Sequence, residues 1–305
     1  MQQKVIVIVG PTASGKTELA IRLAKKVGGE IISADSMQVY KGMEISSQSP
    51  TRSQQKQVRH HMVGFLEPEE EYSAARFSVL ARKTIDRLIM KGKVPIVVGG
   101  SGLYIKALVD GIFPSKGKNP GLREKLSNLA LKKGSPFLHA KLSKIDPISA
   151  GRIHVNDTKR VIRALEIYDV EKKTKESMKR ETKGLDPRYK VRLYGLMMDR
   201  ARLYDGIAGR VELMFRRGLT GEVKKALRKK LSLTSRQALG IRQLEPYFSG
   251  RSSLEESKET LKRDTRKYAK RQLTWFRGDK RIMWLDLDRL GQEGALSRIY
   301  EHFAC

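Results

Sequence analysis

The chain has a single cysteine in 305 residues, Cys305. No disulfide can close within it, and no cysteine-based zinc site can form. No apolar run approaches the roughly 20 residues needed to span a bilayer. The first apolar run begins at Val5, which leaves no room ahead of it for a signal peptide. These absences together predict a reduced, cytoplasmic protein that does not engage a membrane. Acid is also scarce: 33 Asp and Glu stand against 62 Lys and Arg, a net charge of +29. An excess of that size points to a long polyanion, nucleic acid, as partner. Histidine is sparse too, with His60 and His61 adjacent. Neighbouring side chains diverge on any regular element, so this pair is assigned no metal. There are no internal repeats and no low-complexity tracts.

What is present is a series of short apolar runs: 5–9, Glu30 to Ala34, Val94 to Val98, Val191 to Met198 and Ile282 to Leu287. Stretches with helical spacing separate them, such as Ala75, Val79, Ile85 and Leu88. Alternation of this kind predicts an α/β fold with a parallel sheet covered on both faces. Ligands of such sheets sit beyond the carboxyl ends of the strands, which places the segments after 9, 34 and 98 in one cleft. Near Pro114 the composition changes. Residues 115–190 are rich in Lys and Arg and carry turn signals at Asn119-Pro120-Gly121, Gly134-Ser135-Pro136 and Asp186-Pro187. They read as a helical insertion between 1–114 and 191–305, although crossover helices of a single domain would show the same pattern.

The segment Gly10-Pro11-Thr12-Ala13-Ser14-Gly15-Lys16-Thr17 fits the phosphate-loop pattern of nucleotide-binding proteins without a gap. A buried-strand pattern precedes it. After it Leu19, Ala20, Leu23, Ala24 and Val27 mark one helix face. Loop amides and the helix N-terminus would face an anion, Lys16 would add a point charge, and the Thr17 hydroxyl would bind Mg2+. Asp35 ends the second strand run. It could accept a hydrogen bond from a substrate in the cleft or simply cap the following helix. The third strand run leads into Gly99-Gly100-Ser101, with no Asp or Glu of the kind that holds Mg2+ in motor-type ATPases. A small-molecule or nucleoside kinase remains compatible with these features, as does an RNA-binding protein switched by a nucleotide.

Two helices carry concentrated positive charge. An Asx cap in Asn156-Asp157 opens one, on which Lys159, Arg160 and Arg163 share a face while Ile162, Leu165 and Tyr168 turn inward. In the other, Arg263, Arg266, Lys267 and Lys270 form a basic face, and Leu261, Tyr268 and Trp275 form a stripe that reads as core. Phosphate contact is the preferred reading of both basic faces.

These pieces together resemble the tRNA dimethylallyltransferases, or tRNA isopentenyltransferases, in their shorter bacterial form. The matching segments are GPTASGKT at 10–17, DSMQVYKGM at 35–43, PIVVGGSGLYIKAL at 95–108 and NDTKRVIRALEIY at 156–168. RVELMFRRGLTGEV at 210–223, QALGIRQL at 237–244 and KYAKRQLTWFR at 267–277 complete the series. The resemblance spans nearly the whole chain. It implies a phosphate-loop NTPase-like sheet with an inserted helical domain, acting as a monomer. The implied reaction moves the dimethylallyl group of dimethylallyl diphosphate to N6 of the adenosine 3′ to the tRNA anticodon. The phosphate loop and Arg210 would then hold a diphosphate leaving group, with Mg2+ on Thr17. Asp35 would accept the amine proton, and Ser101 would assist in the site. By the same resemblance, Asp35, Ser36, Met37, Gln38, Ser101, Arg123 and Lys159, Arg160, Val161, Ile162 and Arg163 are tRNA contacts. The chain departs from the family pattern in three places: Ser101 where threonine is usual, Gly206 where arginine is usual, and Glu44-Ile45-Ser46-Ser47-Gln48-Ser49-Pro50 where the family commonly has Asp-Ile-Gly-Thr-Ala-Lys-Pro.

Overall fold

A computed structural model describes residues 3–112, 119–174, 177–178, 182, 184–185, 187 and 189–304. The composition break at Pro114, Asp186 of the expected 186–187 turn, and Cys305 lie outside the described residues. Two compact units emerge, one made of Met1–Val109 with Leu185–Cys305 and the other of Asp110–Gly184.

The larger unit is built on six parallel strands in the order β3-β2-β4-β1-β5-β6. These are β1 (Gln3–Val9), β2 (Gly29–Ser33), β3 (His60–His61), β4 (Val94–Gly99), β5 (Tyr189–Met197) and β6 (Ile282–Asp286). Each expected strand is present. The short β3 was not expected, because two histidines without β-branched neighbours give no strand signal. Helices α1 (Lys16–Val27), α2 (Arg52–Gln57), α3 (Ala74–Met90) and α4 (Gly102–Val109) belong to the first half of this unit. Burial on both faces explains the uninterrupted apolar runs of the central strands β1 and β4. Val5, Val7, Ile8 and Val9 of β1 are fully buried, and Ile6 and Ile8 share a core with Leu19, Leu23, Ile96 and Leu196. The inward face of α3 is Phe77, Ala81, Ile85 and Leu88; Val79 is exposed, off the expected face.

The Asp110–Gly184 unit contains α5 (Pro120–Lys133), α6 (Ser135–Ile145), α7 (Pro147–Arg152) and α8 (Thr158–Glu171). Asn119 caps α5 with Pro120 at its first position, and Gly134 takes a positive φ of 83° between α5 and α6. Leu126, Leu138, Leu142, Val161 and Leu165 form its core. Asp157 is the Asx cap of α8, accepting from Arg160 N, whereas Tyr168 is exposed rather than turned inward.

The remaining helices are α9 (Arg200–Arg216), α10 (Leu219–Ala226), α11 (Ile241–Phe248), α12 (Leu254–Arg277) and α13 (Leu287–Ala304). No helix among the described residues is long and apolar enough to cross a membrane.

Candidate active site

The order of the sheet puts the ends of β2, β4 and β1 side by side, so three loops meet at its carboxyl edge. They line a cavity of about 680 Å³ in the larger unit, with Gly15, Lys16, Asp35, Gly100 and Arg210 in its wall. Gly15 caps α1 at φ 79°, which an L side chain rarely adopts, and a Cβ there would collide with the Gln292 amide. Gly100 is needed for close approach, because a Cβ would stand 2.0 Å from Gln272 Nε2.

The phosphate loop wraps the start of α1. Ser14 is buried, its hydroxyl donating to Pro11 O at 2.8 Å. Lys16 Nζ donates to the same carbonyl at 2.6 Å. Burial first, and then the Arg210 cation, depress the Lys16 pKa to about 7, while Asp35 opposes them. A desolvated lysine beside a second cation favours an anionic ligand, which would restore its charge. Arg210, from α9, donates through Nη1 to Gln48 Oε1 at 2.6 Å and to Thr12 Oγ1 at 3.3 Å. Burial lowers its pKa as well. Gly206, one turn earlier on α9, has no side chain; a Cβ there would stand 3.8 Å from Ala13.

No helix follows Asp35, so its carboxylate caps a turn instead. Oδ1 accepts from Met37 N at 2.8 Å and Gln38 N at 3.4 Å, a local Asx turn rather than the helix cap of the alternative reading. The carboxylate also lines the cavity beside Lys16. Burial raises its pKa above 3.8, against the pull of those two N–H groups and of Lys16. Ser101 Oγ accepts from Ser36 N at 3.4 Å, joining the end of β4 to the Asp35 loop. Ser36, Met37 and Gln38 line the cavity, and Gln38 Oε1 accepts from Ser33 Oγ at 2.7 Å.

The stripe expected to be core on α12 is only partly core. Leu261 is buried, but Trp275 is 42% exposed and Tyr268 faces the cavity. Burial foremost, and then Asp35, raise the Tyr268 pKa, opposed by its hydrogen bond to Ser101. A heptad spacing says which side chains share a face and cannot say whether that face meets core or cleft. Lys267 and Arg271 line the cavity from the same helix. Gln272 is the least foreseeable member. Its Oε1 accepts from Thr12 N at 2.8 Å and its Nε2 donates to Gly100 O at 3.0 Å, so it ties the phosphate loop to the end of β4.

The insertion holds the other expected residues. Glu166 has a fully buried side chain, and it accepts from Arg123 Nη2 at 2.7 Å, Arg163 Nη1 at 2.6 Å and Asn119 N at 2.8 Å. Burial raises its pKa, but the two guanidinium groups and the backbone N–H outweigh burial and leave it below the usual range. Lys159 and Arg160 are exposed, Arg160 beside Asp157 at 3.3 Å. Val161 and Ile162 point into the insertion core. No group of three or more His, Cys, Asp or Glu among the described residues could hold a metal ion. His61 Nε2 instead pairs with Glu30 at 2.7 Å.

A family model described as IPP transferase matches residues 38–279. The chain belongs to the IPP transferase family. It is 44% identical to a tRNA dimethylallyltransferase of Acetivibrio thermocellus over 98% of this chain and 96% of that protein. With the tRNA dimethylallyltransferase of Bacillus subtilis the figures are 43%, 99% and 97%. Among solved structures, a eukaryotic dimethylallyltransferase acting on tRNA superposes with a TM-score of 0.81 at 29% identity, over 99% of this chain and 80% of that one. A tRNA isopentenylpyrophosphate transferase from Bacillus halodurans gives 0.73 at 38% identity, over 99% and 96%. The chain is therefore a transferase, with the parallel α/β fold of these enzymes. The kinase alternative finds no support in these matches.

Proposed function

We propose that the chain transfers the dimethylallyl group of dimethylallyl diphosphate to N6 of the adenosine 3′ to the anticodon of tRNA and releases diphosphate. The names of its relatives support this reading. The observation that carries it is the placement of Asp35 and Lys16 in one cavity, close enough to perturb each other. A proton acceptor beside an anion cradle suits a displacement in which an amine attacks and a diphosphate leaves.

Lys16, Arg210 and the loop N–H groups of residues 13–17 hold the diphosphate and stabilise the charge that develops as the carbon–oxygen bond breaks. The exocyclic amine of adenine is a weak nucleophile, its lone pair delocalised into the ring. Asp35 accepts the N6 proton as the new carbon–nitrogen bond forms, and its raised pKa suits it to the task. Ser101 and Tyr268 fix the adjoining wall. The Thr17 hydroxyl, in the cavity wall at the start of α1, fits Mg2+ arriving with the diphosphate, since Mg2+ takes few protein ligands and several phosphate or water oxygens. Mg2+ supplies charge neutralisation of the leaving group.

The adenosine must leave the anticodon-loop stack to reach a cavity of this depth. Ser36, Met37 and Gln38 are placed to meet its base edge. Lys159 and Arg160, together with Arg123 and Arg163 held by Glu166, offer the insertion's contacts to the RNA backbone. The enzyme works as a cytoplasmic monomer in this reading. Incubation with Mg2+, labelled dimethylallyl diphosphate and unmodified tRNA tests it. Label should enter the RNA, and a tRNA with inosine at that position, lacking the N6 amine, should stay unlabelled. Equal labelling of both would refute the proposed acceptor.

A further inference from the structure

Gln48 lies in a loop whose spacing and composition gave it no role. The backbone there is left-handed at φ 55°. A non-glycine residue pays on the order of 1 kcal/mol for that conformation. Strain of this kind persists where surrounding structure imposes it. Here the outer side of the loop is pinned by Glu222, whose carboxylate accepts from Ile45 N at 2.8 Å and Ser46 N at 2.7 Å. Gln48 N donates to Ile45 O at 3.1 Å, and Ser47 and Ser49 bond to each other through their hydroxyls at 2.8 Å. The fixed loop sends the Gln48 side chain into the cavity.

Its amide oxygen accepts from two groups of the phosphate site at once, Arg210 Nη1 at 2.6 Å and Thr12 Oγ1 at 3.0 Å. Its main-chain oxygen accepts from Gln38 Nε2 at 3.2 Å. The chemistry of an amide matters here. A carboxylate at this place would neutralise Arg210 and repel an incoming anion. An alanine would leave a long, rotamer-rich guanidinium unheld. An amide oxygen fixes the direction of the cation while keeping its full charge for the ligand. The demand on Arg210 is high, because Gly206 offers no side chain to the phosphate loop from the preceding turn of α9.

We propose that Gln48 is a positioning residue of the donor site, holding Arg210 and Thr12 in the arrangement that receives the diphosphate. The inference rests on the reading of this cavity as a diphosphate site. Preorganisation of this kind lowers the ordering cost of binding, so its loss appears in donor affinity.

The test uses Gln48→Ala, Gln48→Met (similar length, no acceptor) and Gln48→Glu, with Lys16→Ala as a control. Calorimetry with inorganic diphosphate and Mg2+ gives Kd; steady-state kinetics give KM for dimethylallyl diphosphate and for tRNA. Gln48→Ala and Gln48→Met should each raise diphosphate Kd and donor KM roughly 5–10-fold, the net effect of about one ordinary hydrogen bond. Because Arg210 also meets the charge that develops on the leaving group, kcat should fall in both variants, while tRNA KM stays unchanged. Gln48→Glu should weaken diphosphate binding further at pH 8 and recover as the carboxylate is protonated, a pH dependence that a purely structural role would not create. If Gln48→Met binds diphosphate as the wild type does, or more tightly, the inference is overturned. If Lys16→Ala also binds like wild type, the diphosphate site itself is wrong; loss in Lys16→Ala alone condemns only the role of Gln48.

Discussion

Binding of the donor should pull a proton onto the protein, and Lys16 is the group that takes it. In the ligand-free fold, burial and Arg210 hold Lys16 at about 7, from a usual 10.5. At pH 8.5 a group with that pKa is only about 3% protonated. An anion beside it reverses the balance, since a neighbouring opposite charge favours the charged form. If the bound pKa returns to about 10, the group is about 97% protonated and uptake is about 0.9 proton per diphosphate bound. Calorimetry at pH 8.5, repeated in buffers of different ionisation enthalpy, measures this number. The comparison is Lys16→Arg, which carries its charge at every accessible pH and so takes up no proton at this position. The expected difference between the two proteins is about 0.9 proton, falling toward zero below pH 6, where Lys16 is charged before binding. A difference under about 0.2 at pH 8.5 would mean that Lys16 is already charged before binding or does not meet the anion, and in either case the electrostatic argument for the phosphate site would fail.

Asp35→Asn should lower the single-turnover rate of transfer roughly 10²–10⁴-fold while changing donor Kd less than about threefold. An unaltered rate would remove Asp35 from the chemistry. Because burial raises the Asp35 pKa, the wild-type chemical rate should fall on acidification with a midpoint above 3.8, as the base becomes protonated; a rate flat down to pH 4 contradicts this. Glu166→Gln should cost about 2–3 kcal/mol in unfolding experiments, less than a fully buried pair because both arginines are about one-third exposed. The lowered Glu166 pKa contributes stability above its unfolded value of 4.5 that is lost as pH falls through the folded value, so the mutant and wild type should converge in acid. Lys159→Ala should weaken tRNA binding and reduce the slope of log affinity against log salt by about one; an unchanged slope would return Lys159 to plain solvated surface.

The sheet was legible because its central strands are buried on both faces: β1 is apolar from Val5 to Val9 and β4 from Val94 to Val98, whereas Arg192 of β5 and Met283 of β6 are exposed. The three loops at its edge were legible by rule, since sheet topology decides where strand ends converge. Gln48, Tyr268 and Gln272 were not. Each reaches the cavity from a segment whose local pattern speaks of something else: a serine-rich loop, a heptad stripe and a basic helix. Only their partners in the fold, Arg210, Ser101, Thr12 and Gly100, give them meaning. The insertion shows the same limit. Arg123 and Arg163 were visible as charges, whereas the buried Glu166 that gathers them lay among Ala164, Leu165 and Ile167. Helical spacing turned Ile162, Leu165 and Tyr168 inward and gave Glu166 no part.

The central claim is that one cavity binds a prenyl diphosphate at the phosphate loop and passes its alkyl group to an adenosine amine. A single-turnover reaction with enzyme in excess, unmodified tRNA and doubly labelled dimethylallyl diphosphate, carbon-labelled in the alkyl group and phosphorus-labelled in the diphosphate, tests it most directly. The expected result is one alkyl label in the RNA for each diphosphate released, with the modified nucleoside identified by mass spectrometry as N6-dimethylallyladenosine 3′ to the anticodon. Diphosphate release without alkylated RNA, or turnover of ATP in its place, would contradict it.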